Sequence, residues 1–396
     1  MKNVYTLLVV QFLSAFADNA ILFTVFAMLM QAAETASWYK PALQGAFLLA
    51  FVVLAPWVGR FADRHVKGRV LMIGNGLKAA GAALLFVGVE PLLAYALVGV
   101  GAAVYGPAKY GILPELVGHE RLVQANGLIE GSTIVAIVLG AVIGAQVADQ
   151  STSLALAMVA GAYLASLVGT MLIPRTGVER AGASRPAIGE FVNMMEGFFI
   201  TSRARFSMLG ASIFWAAAVV LRVMLVVWAP VVLLTASTAE IANLTVFIAL
   251  GIAAGAFVVP WLIPIERLRR ARMAAYLMGA AIILLGTVTD PLGAKLVLFL
   301  IGLLGGVFVV PINAALQDLG HRTIGTGAAV AVQNFFENLA MLVGTGLYTL
   351  SVALGADPVL SIYVLGLLVM VATAIVAWHL PRDPEPLPEH SLKAEA

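Results

Sequence analysis

Eleven polar or charged side chains interrupt otherwise apolar stretches of this chain: Asp18, Asn19, Lys78, Lys109, Glu130, Arg222, Asn313, Gln333, Asn334, Glu337 and Asn338. A charged group in hydrocarbon costs on the order of 2.5–3.5 kcal/mol even on lenient scales, so each needs a partner or a wet cavity. Acids, bases and amides at such depth can bind a charged or zwitterionic ligand, carry a proton or hold helices together. Covalent chemistry is not indicated. Neither a His-Glu-x-x-His zinc site nor a Walker-type phosphate loop occurs, and there is no cysteine. None of the five histidines, at 65, 119, 321, 379 and 390, has the aspartate five positions later that a lipid acyltransferase would use. No cofactor and no metal is implied.

The chemistry-bearing residues fall into groups. Asp18-Asn19 and Arg222 lie near the middles of the first and seventh apolar stretches, and an acid and a base at similar depth are expected to pair across a central cavity. Such a pair either locks the structure or opens and closes around a ligand. Lys109 either receives a phosphate as a point charge or extends to the membrane interface. Lys78 is expected to pack within its own half against an acidic partner. Gln333 and Glu337 share one helix face, and Asn334 and Asn338 another. That polar stripe faces a wet cavity or a neighbouring helix. Its glutamate, with Glu130, is suited to a cation, a proton or an interhelical hydrogen bond.

The elements that position these groups are membrane spans. Of 396 residues, 61% are hydrophobic and only 11% charged, against roughly 25% charged in a soluble domain, and the mean hydropathy is +0.99. A spanning helix takes about 20 apolar residues. On that criterion, spans are predicted at 4–31, 42–62, 69–89, 91–114, 122–148, 152–174, 205–235, 239–264, 271–289, 292–318, 323–353 and 357–380. The fold class is therefore all-α, twelve transmembrane helices in two six-helix bundles. The first bundle is 1–174, the linker 175–204, the second bundle 205–380 and a disordered, proline-rich tail 381–396. The first stretch is too long for a cleaved signal and holds Asp18, so it reads as a retained helix. Lys and Arg concentrate in the loops on one side, at 60, 64, 67, 69 and 121, along the linker, at 267, 269, 270, 272 and 322. The other side holds only Lys40 and Lys295. By the positive-inside rule both termini are cytoplasmic. The net charge of +2 argues for no particular partner, nucleic acid included.

The halves echo each other. PAKYGILPELVGHERLVQANGLIE, from Pro107 to Glu130, matches PINAALQDLGHRTIGTGAAVAVQNFFE, from Pro311 to Glu337, at a proline, an acid before Leu-Gly-His or its close variant, and an amide group before a glutamate. Lys109 and Asn313 then correspond, as do Glu130 and Glu337. Internal repeats of this kind mark two-bundle transporters. Gly140-x-x-x-Gly144 and Gly251-x-x-x-Gly255 permit close helix approach. They are expected to seal spans 5 and 8 together and to leave the wider gap between spans 2 and 11.

The loop after the second span reads GRFADRHVKGR, Gly59 to Arg69. It resembles the Gly-x-x-x-Asp-Arg signature of the major facilitator superfamily. The resemblance implies a gating loop in which Gly59 allows close approach, Asp63 accepts from arginines and helix N-termini, and Arg64 and Arg69 supply the charges. Val66 departs from the glycine often found there. VVQFLSAFADNAILF (9–23), VGVGAAVYGPAKYGILPEL (98–116), ANGLIEGSTI (125–134) and VPINAALQ with AVQNFFENLAML (310–342) are similar, more narrowly, to the bacterial lysophospholipid transporter family. That resemblance spans the twelve helices. It implies movement of lysophospholipids, chiefly 2-acyl-glycerophosphoethanolamine, from the outer to the inner leaflet of the bacterial inner membrane by facilitated diffusion. An acyltransferase/acyl-carrier-protein synthetase then re-esterifies them on the cytoplasmic side. On such a substrate the expected roles are phosphate at Arg222 with transfer to Lys109, and Asp18 and Glu337 for the ammonium or for holding the empty site. Asn19, Asn313, Gln333, Asn334 and Asn338 would line the route. A proton-coupled exporter of drugs or small amphiphiles is the alternative.

Overall fold

The computed structural model describes residues 2–32, 36–113, 116, 122–174, 187–199, 201–235, 237–263, 265–322 and 326–378. The tail and residues 175–186 of the linker lie outside this set. Among the described residues twelve long helices follow one another: α1 Lys2–Gln31, α2 Tyr39–Arg64, α3 Lys67–Phe86, α4 Pro91–Gly111, α5 Leu122–Gln150, α6 Thr152–Thr170, α7 Ser202–Val232, α8 Thr238–Leu262, α9 Ala271–Leu285, α10 Pro291–Arg322, α11 Thr326–Ala353 and α12 Pro358–Trp378. Eleven are long and apolar enough to cross a membrane. The other, α9, is preceded by a 3₁₀ segment, Ile265–Arg270. The short links make neighbours antiparallel, so every second helix end lies at the linker end and the rest at the far end.

Local chemistry sets the helix starts. At the far end, α4, α10 and α12 each begin with an acid followed by proline. Glu90, Asp290 and Asp357 accept from Leu93, Gly293 and Leu360 backbone N–H at 3.0, 2.7 and 2.8 Å. The proline takes the first helical position, where its missing N–H costs nothing.

The helices pack in a pattern that repeats between halves. In the first half, α1 lies on α5 and α6, α4 on α2 and α3, and α3 on α6. In the second, α7 lies on α11 and α12, α10 on α8 and α9, and α9 on α12. Backbones touch where glycine permits. A Cβ on Gly251 would stand 2.1 Å from the Phe299 carbonyl oxygen and one on Gly302 2.1 Å from that of Ile248, so α8 and α10 interlock through reciprocal glycines. A Cβ on Gly140 would stand 2.3 Å from Phe16 O, and one on Gly144 2.5 Å from Ala20 Cα. The glycine motifs of α5 and α8 therefore serve packing on α1 and α10, inside each half, and not the α5–α8 seam expected of them. A repeat of four residues defines a face and says nothing of the neighbour.

The most buried spans are α1, α7, α10 and α4, at 67, 61, 56 and 50% of their apolar windows. These four, equivalent in pairs, form the central layer. The halves meet along α2–α11 and α5–α8. The wider gap expected between α2 and α11 is not seen: the two helices pack together.

Both ends of the seams carry specific contacts. At the far end, the Asp149 carboxylate of α5 accepts from Ser237 Oγ at 2.7 Å and from the Thr238 and Ala239 N–H groups of α8 at 3.1 and 2.9 Å. Ser237 itself accepts from Glu240 N–H at 3.2 Å. An acid at the C-terminus of its own helix opposes that helix dipole. Its reward lies across the seam, where it satisfies the free N–H groups of α8. Asp149→Ala should loosen this end. Because the chain has no cysteine, a spin-label pair at Gln150→Cys and Val231→Cys is expected to show a longer, broader distance distribution in Asp149→Ala than in its parent. At the linker end, a helix over Ala187–Phe198 packs on both α2 and α11. Phe191 meets Phe335 edge-on at 5.2 Å, and Phe199 meets Phe336 at 4.9 Å.

Candidate functional site

Asp18 sits midway along α1, with 23% of its side chain exposed. It faces α3 and α6. Lys78 Nζ of α3 lies 2.8 Å from Oδ2, and the Tyr163 hydroxyl of α6 donates to Oδ1 at 2.8 Å. The expected Asp18–Arg222 pair is thus replaced by Asp18–Lys78. Geometry explains the difference: consecutive helical residues point about 100° apart, so α1 turns Asp18 into its own half and Asn19 toward α7. Arg222 Nη1 approaches Asn19 Oδ1 at 3.5 Å, the long limit of a hydrogen bond. Among the described residues Arg222 makes no ion pair.

Behind Asp18 runs a buried network that the sequence reading missed. Lys78, 1% exposed, also donates to Ser14 Oγ at 2.9 Å. Ser14 donates to Asn75 Oδ1 at 2.9 Å, Asn75 to Ser166 Oγ at 2.8 Å, and Ser166 to the Val10 carbonyl at 2.7 Å. The Tyr105 ring lies 4.7 Å from Lys78 Nζ. The ammonium is thereby enclosed by one carboxylate, one hydroxyl and aromatic faces, a favourable setting for a desolvated cation. Tyr95 of α4, 2% exposed, lies within electrostatic reach of both Asp18 and Arg222. Ser, Asn and Tyr are common in membrane helices, so their spacing gave no signal. The one usable signal was the lysine itself.

A second polar group lies toward the linker end. Gln333 Nε2 donates to Asn313 Oδ1 at 3.1 Å and to Glu337 Oε1 at 2.7 Å, joining α10 to α11. Glu337 is 7% exposed, and the Trp215 side chain of α7 reaches the same carboxylate. Trp215 precedes Arg222 by two helical turns, about 10 Å along the axis. The two polar groups are therefore successive layers. The α11 stripe divides between its faces: Gln333 and Glu337 turn inward, whereas Asn334 is exposed and the Asn338 amide donates to the Asn334 carbonyl at 2.7 Å.

Lys109 is 8% exposed, with Nζ 4.2 Å from the Tyr110 ring centre. It follows Pro107 by two residues, as Asn313 follows Pro311. Each proline lacks an N–H and frees a carbonyl one turn earlier in α4 and α10. In the loop after α2, Arg64 and Arg69 are exposed, and a Cβ on Gly59 would meet nothing within 4 Å. Gly59 therefore mediates no close approach here, contrary to expectation. The side chains of Asp63 and Glu130 lie outside the described residues. A small crevice among α7–α10, lined by residues such as Phe214, Leu221, Ile248 and Met278, is apolar and offers a head group no partner.

Repeated six-helix halves, a central layer of α1, α4, α7 and α10, and a guanidinium at the seam between the halves define a two-bundle membrane transporter. The comparisons agree. The Major Facilitator Superfamily model matches residues 7–345. The "Lysophospholipid transporter LplT" of Cronobacter sakazakii (strain ATCC BAA-894) is 45% identical over 356 residues, 89% of each chain. That of Yersinia pestis (strain Pestoides F) is 44% identical over 361 residues, 90% of this chain and 89% of its own. Among solved structures, the nucleoside transporter NupG superposes with a TM-score of 0.72 at 11% identity, covering 96% of this chain and 98% of its own. A POT family transporter in complex with 5-aminolevulinic acid does so with 0.72 at 15% identity, covering 95% of each. The chain belongs to the major facilitator superfamily and, within it, to the lysophospholipid transporter family. It is a multi-pass membrane protein.

Proposed function

We propose that the protein moves lysophospholipids, chiefly 2-acyl-glycerophosphoethanolamine, from the outer to the inner leaflet of a bacterial inner membrane, with both termini cytoplasmic. The observation that carries this reading is Arg222: a guanidinium at mid-membrane, between the halves, with an amide and no carboxylate beside it among the described residues. A half-buried guanidinium with no carboxylate partner is costly at that depth unless a ligand supplies the anion, and a planar fork suits a phosphodiester. In a lysophospholipid only the head needs a polar path. The single tail can stay in lipid while the head passes a lateral opening.

The phosphate binds Arg222 and Asn19 first, then moves to the Gln333–Glu337–Asn313 layer and to Lys109 nearer the cytoplasm. Asn334 and Asn338 line the lateral opening. Asp18 holds the empty site together through Lys78 and Tyr163. The bodies 1–174 and 205–380 rock about this layer, with Asp149 closing the outer end and the linker helix and the 59–69 loop the inner. The product is a lysophospholipid in the cytoplasmic leaflet, where an acyltransferase can re-esterify it. The exchange needs no ion. In proteoliposomes, labelled lysophosphatidylethanolamine should cross at the same rate with and without a pH gradient. A rate that follows the gradient would favour a proton-coupled exporter.

A further inference from the structure

The helix over Ala187–Phe198 has an apolar face wider than the protein surface beneath it. At about 100° per residue, Met194, Phe191, Met195, Ile188 and Val192 follow one another around an arc of about 160°. Asn193 and Glu196 stand outside that arc. Only part of the apolar face is covered. Phe191 is 5% exposed and meets Phe335 of α11, and Met194 and Met195 are half-buried beside it. At the last turn the protein takes the chain up again through Phe199 on Phe336. Between these contacts one flank is bare among the described residues: Ile188 is 56% and Val192 38% exposed, one turn apart on the same side. Asn193 and Glu196 are exposed as well. Scattered apolar side chains on a wet surface mean little. These two gain meaning from their depth. Phe335 and Phe336 open the membrane-spanning part of α11, Val332–Ala353, and α7, itself a span, begins at Ser202, within about one turn of Phe198. The helix is therefore held at the edge of the hydrocarbon, across the ends of α2 and α11. Arg205, exposed in the first turn of α7, marks the head-group level on the same side.

We infer that this helix is an interfacial one that binds the lipid surface of the linker-end leaflet: Ile188 and Val192 insert at the acyl-chain boundary, Phe191 docks on α11, and Asn193 and Glu196 face water. The segment carries two acids and no base, so apolar burial holds it there and attraction to anionic lipid does not. Docked on protein along one side of its apolar face and on lipid along the other, it ties the mouth between α2 and α11 to the leaflet. Nothing in this placement depends on the cargo.

The chain has no cysteine, so single nitroxide labels can be placed through Ile188→Cys, Val192→Cys, Asn193→Cys and Glu196→Cys in the full-length protein. In proteoliposomes of phosphatidylethanolamine and phosphatidylglycerol, each label's collisions with oxygen, which concentrates in hydrocarbon, and with a water-soluble nickel chelate report its depth. Labels at 188 and 192 should favour oxygen and lie about 5–10 Å inside the head-group boundary. Labels at 193 and 196 should favour nickel. The same pattern should appear in phosphatidylcholine alone. Either flank position suffices if the variant at the other folds poorly. Nickel contact at 188 and 192 equal to that at 193 puts the flank in water and overturns the inference. Shielding of both positions from oxygen and nickel alike means that protein covers the flank, whether another part of this chain or a second copy, and overturns it too. So does a depth that is lost when phosphatidylglycerol is omitted. None of these readings requires transport, so failure to move a lysophospholipid is a separate result that bears on the proposed function.

Discussion

Arg222→Ala is expected to reduce lysophospholipid translocation at least about 100-fold while leaving a folded protein in the membrane. Truncating one partner of a desolvated, hydrogen-bonded charge pair costs about 2–5 kcal/mol, and about 2.7 kcal/mol is already a factor of 100. The loss falls on the loaded state, because in the empty protein Arg222 gives up only a 3.5 Å contact with Asn19. Stability should therefore hold or rise, since a half-buried guanidinium without a carboxylate partner is removed. Arg222→Lys keeps the charge and loses the planar fork, and should retain part of the rate. The measurement pairs flux with a melting curve in detergent. Normal flux in Arg222→Ala would remove the phosphate assignment.

Gly251→Val is expected to have the largest effect on folding. Its Cβ would stand 2.1 Å from Phe299 O and 2.7 Å from Leu303 N, both backbone atoms that no rotamer change can move. Overpacking a core commonly costs about 1–3 kcal/mol. Here two helix backbones must part, and the reciprocal contact of Gly302 with Ile248 parts with them. A large drop in melting temperature, or loss of the monodisperse species, should follow. Gly59→Ala is the control. An added Cβ there meets open space, so its melting curve should match that of the parent although Gly59 belongs to the superfamily loop signature.

The contrast between these two glycines shows how far the sequence can be read. Helix positions follow from apolar length, and the twelve spans match the observed helices with shifts at their ends. The depth of Asp18, Lys78 and Arg222 follows from the same count. Which of them meet does not. A one-residue step along α1 sends Asp18 to Lys78 and Asn19 to Arg222, and a hydropathy pattern common to all faces of a membrane helix cannot fix that rotation. Lys78 was rightly expected to find an acid in its own half; the acid proved to be the one assigned to Arg222. The Ser14–Asn75–Ser166 chain left no trace because single hydroxyls and amides are cheap in a helix that can bond them locally. Asp149 looked like a loop residue, for its meaning lies across the seam, on the N–H groups of another helix. The helix over Ala187–Phe198 was hidden inside a linker read for its charge, although Phe191, Met194, Met195 and Phe198 fall at helical spacing.

These features combine into one account: a guanidinium-centred polar layer between two halves, tied at the far end by Asp149 and bridged at the linker end by a short helix. On the proposed function, a lysophospholipid head crosses at that layer. The most direct measurement is the rate at which fluorescent lysophosphatidylethanolamine becomes protected from an external quencher in proteoliposomes of the unaltered protein, with no gradient imposed. Protection that saturates with substrate, and that Arg222→Ala at equal reconstitution abolishes, is the predicted result. Protection no faster than in protein-free liposomes, or equally fast in Arg222→Ala, would contradict it.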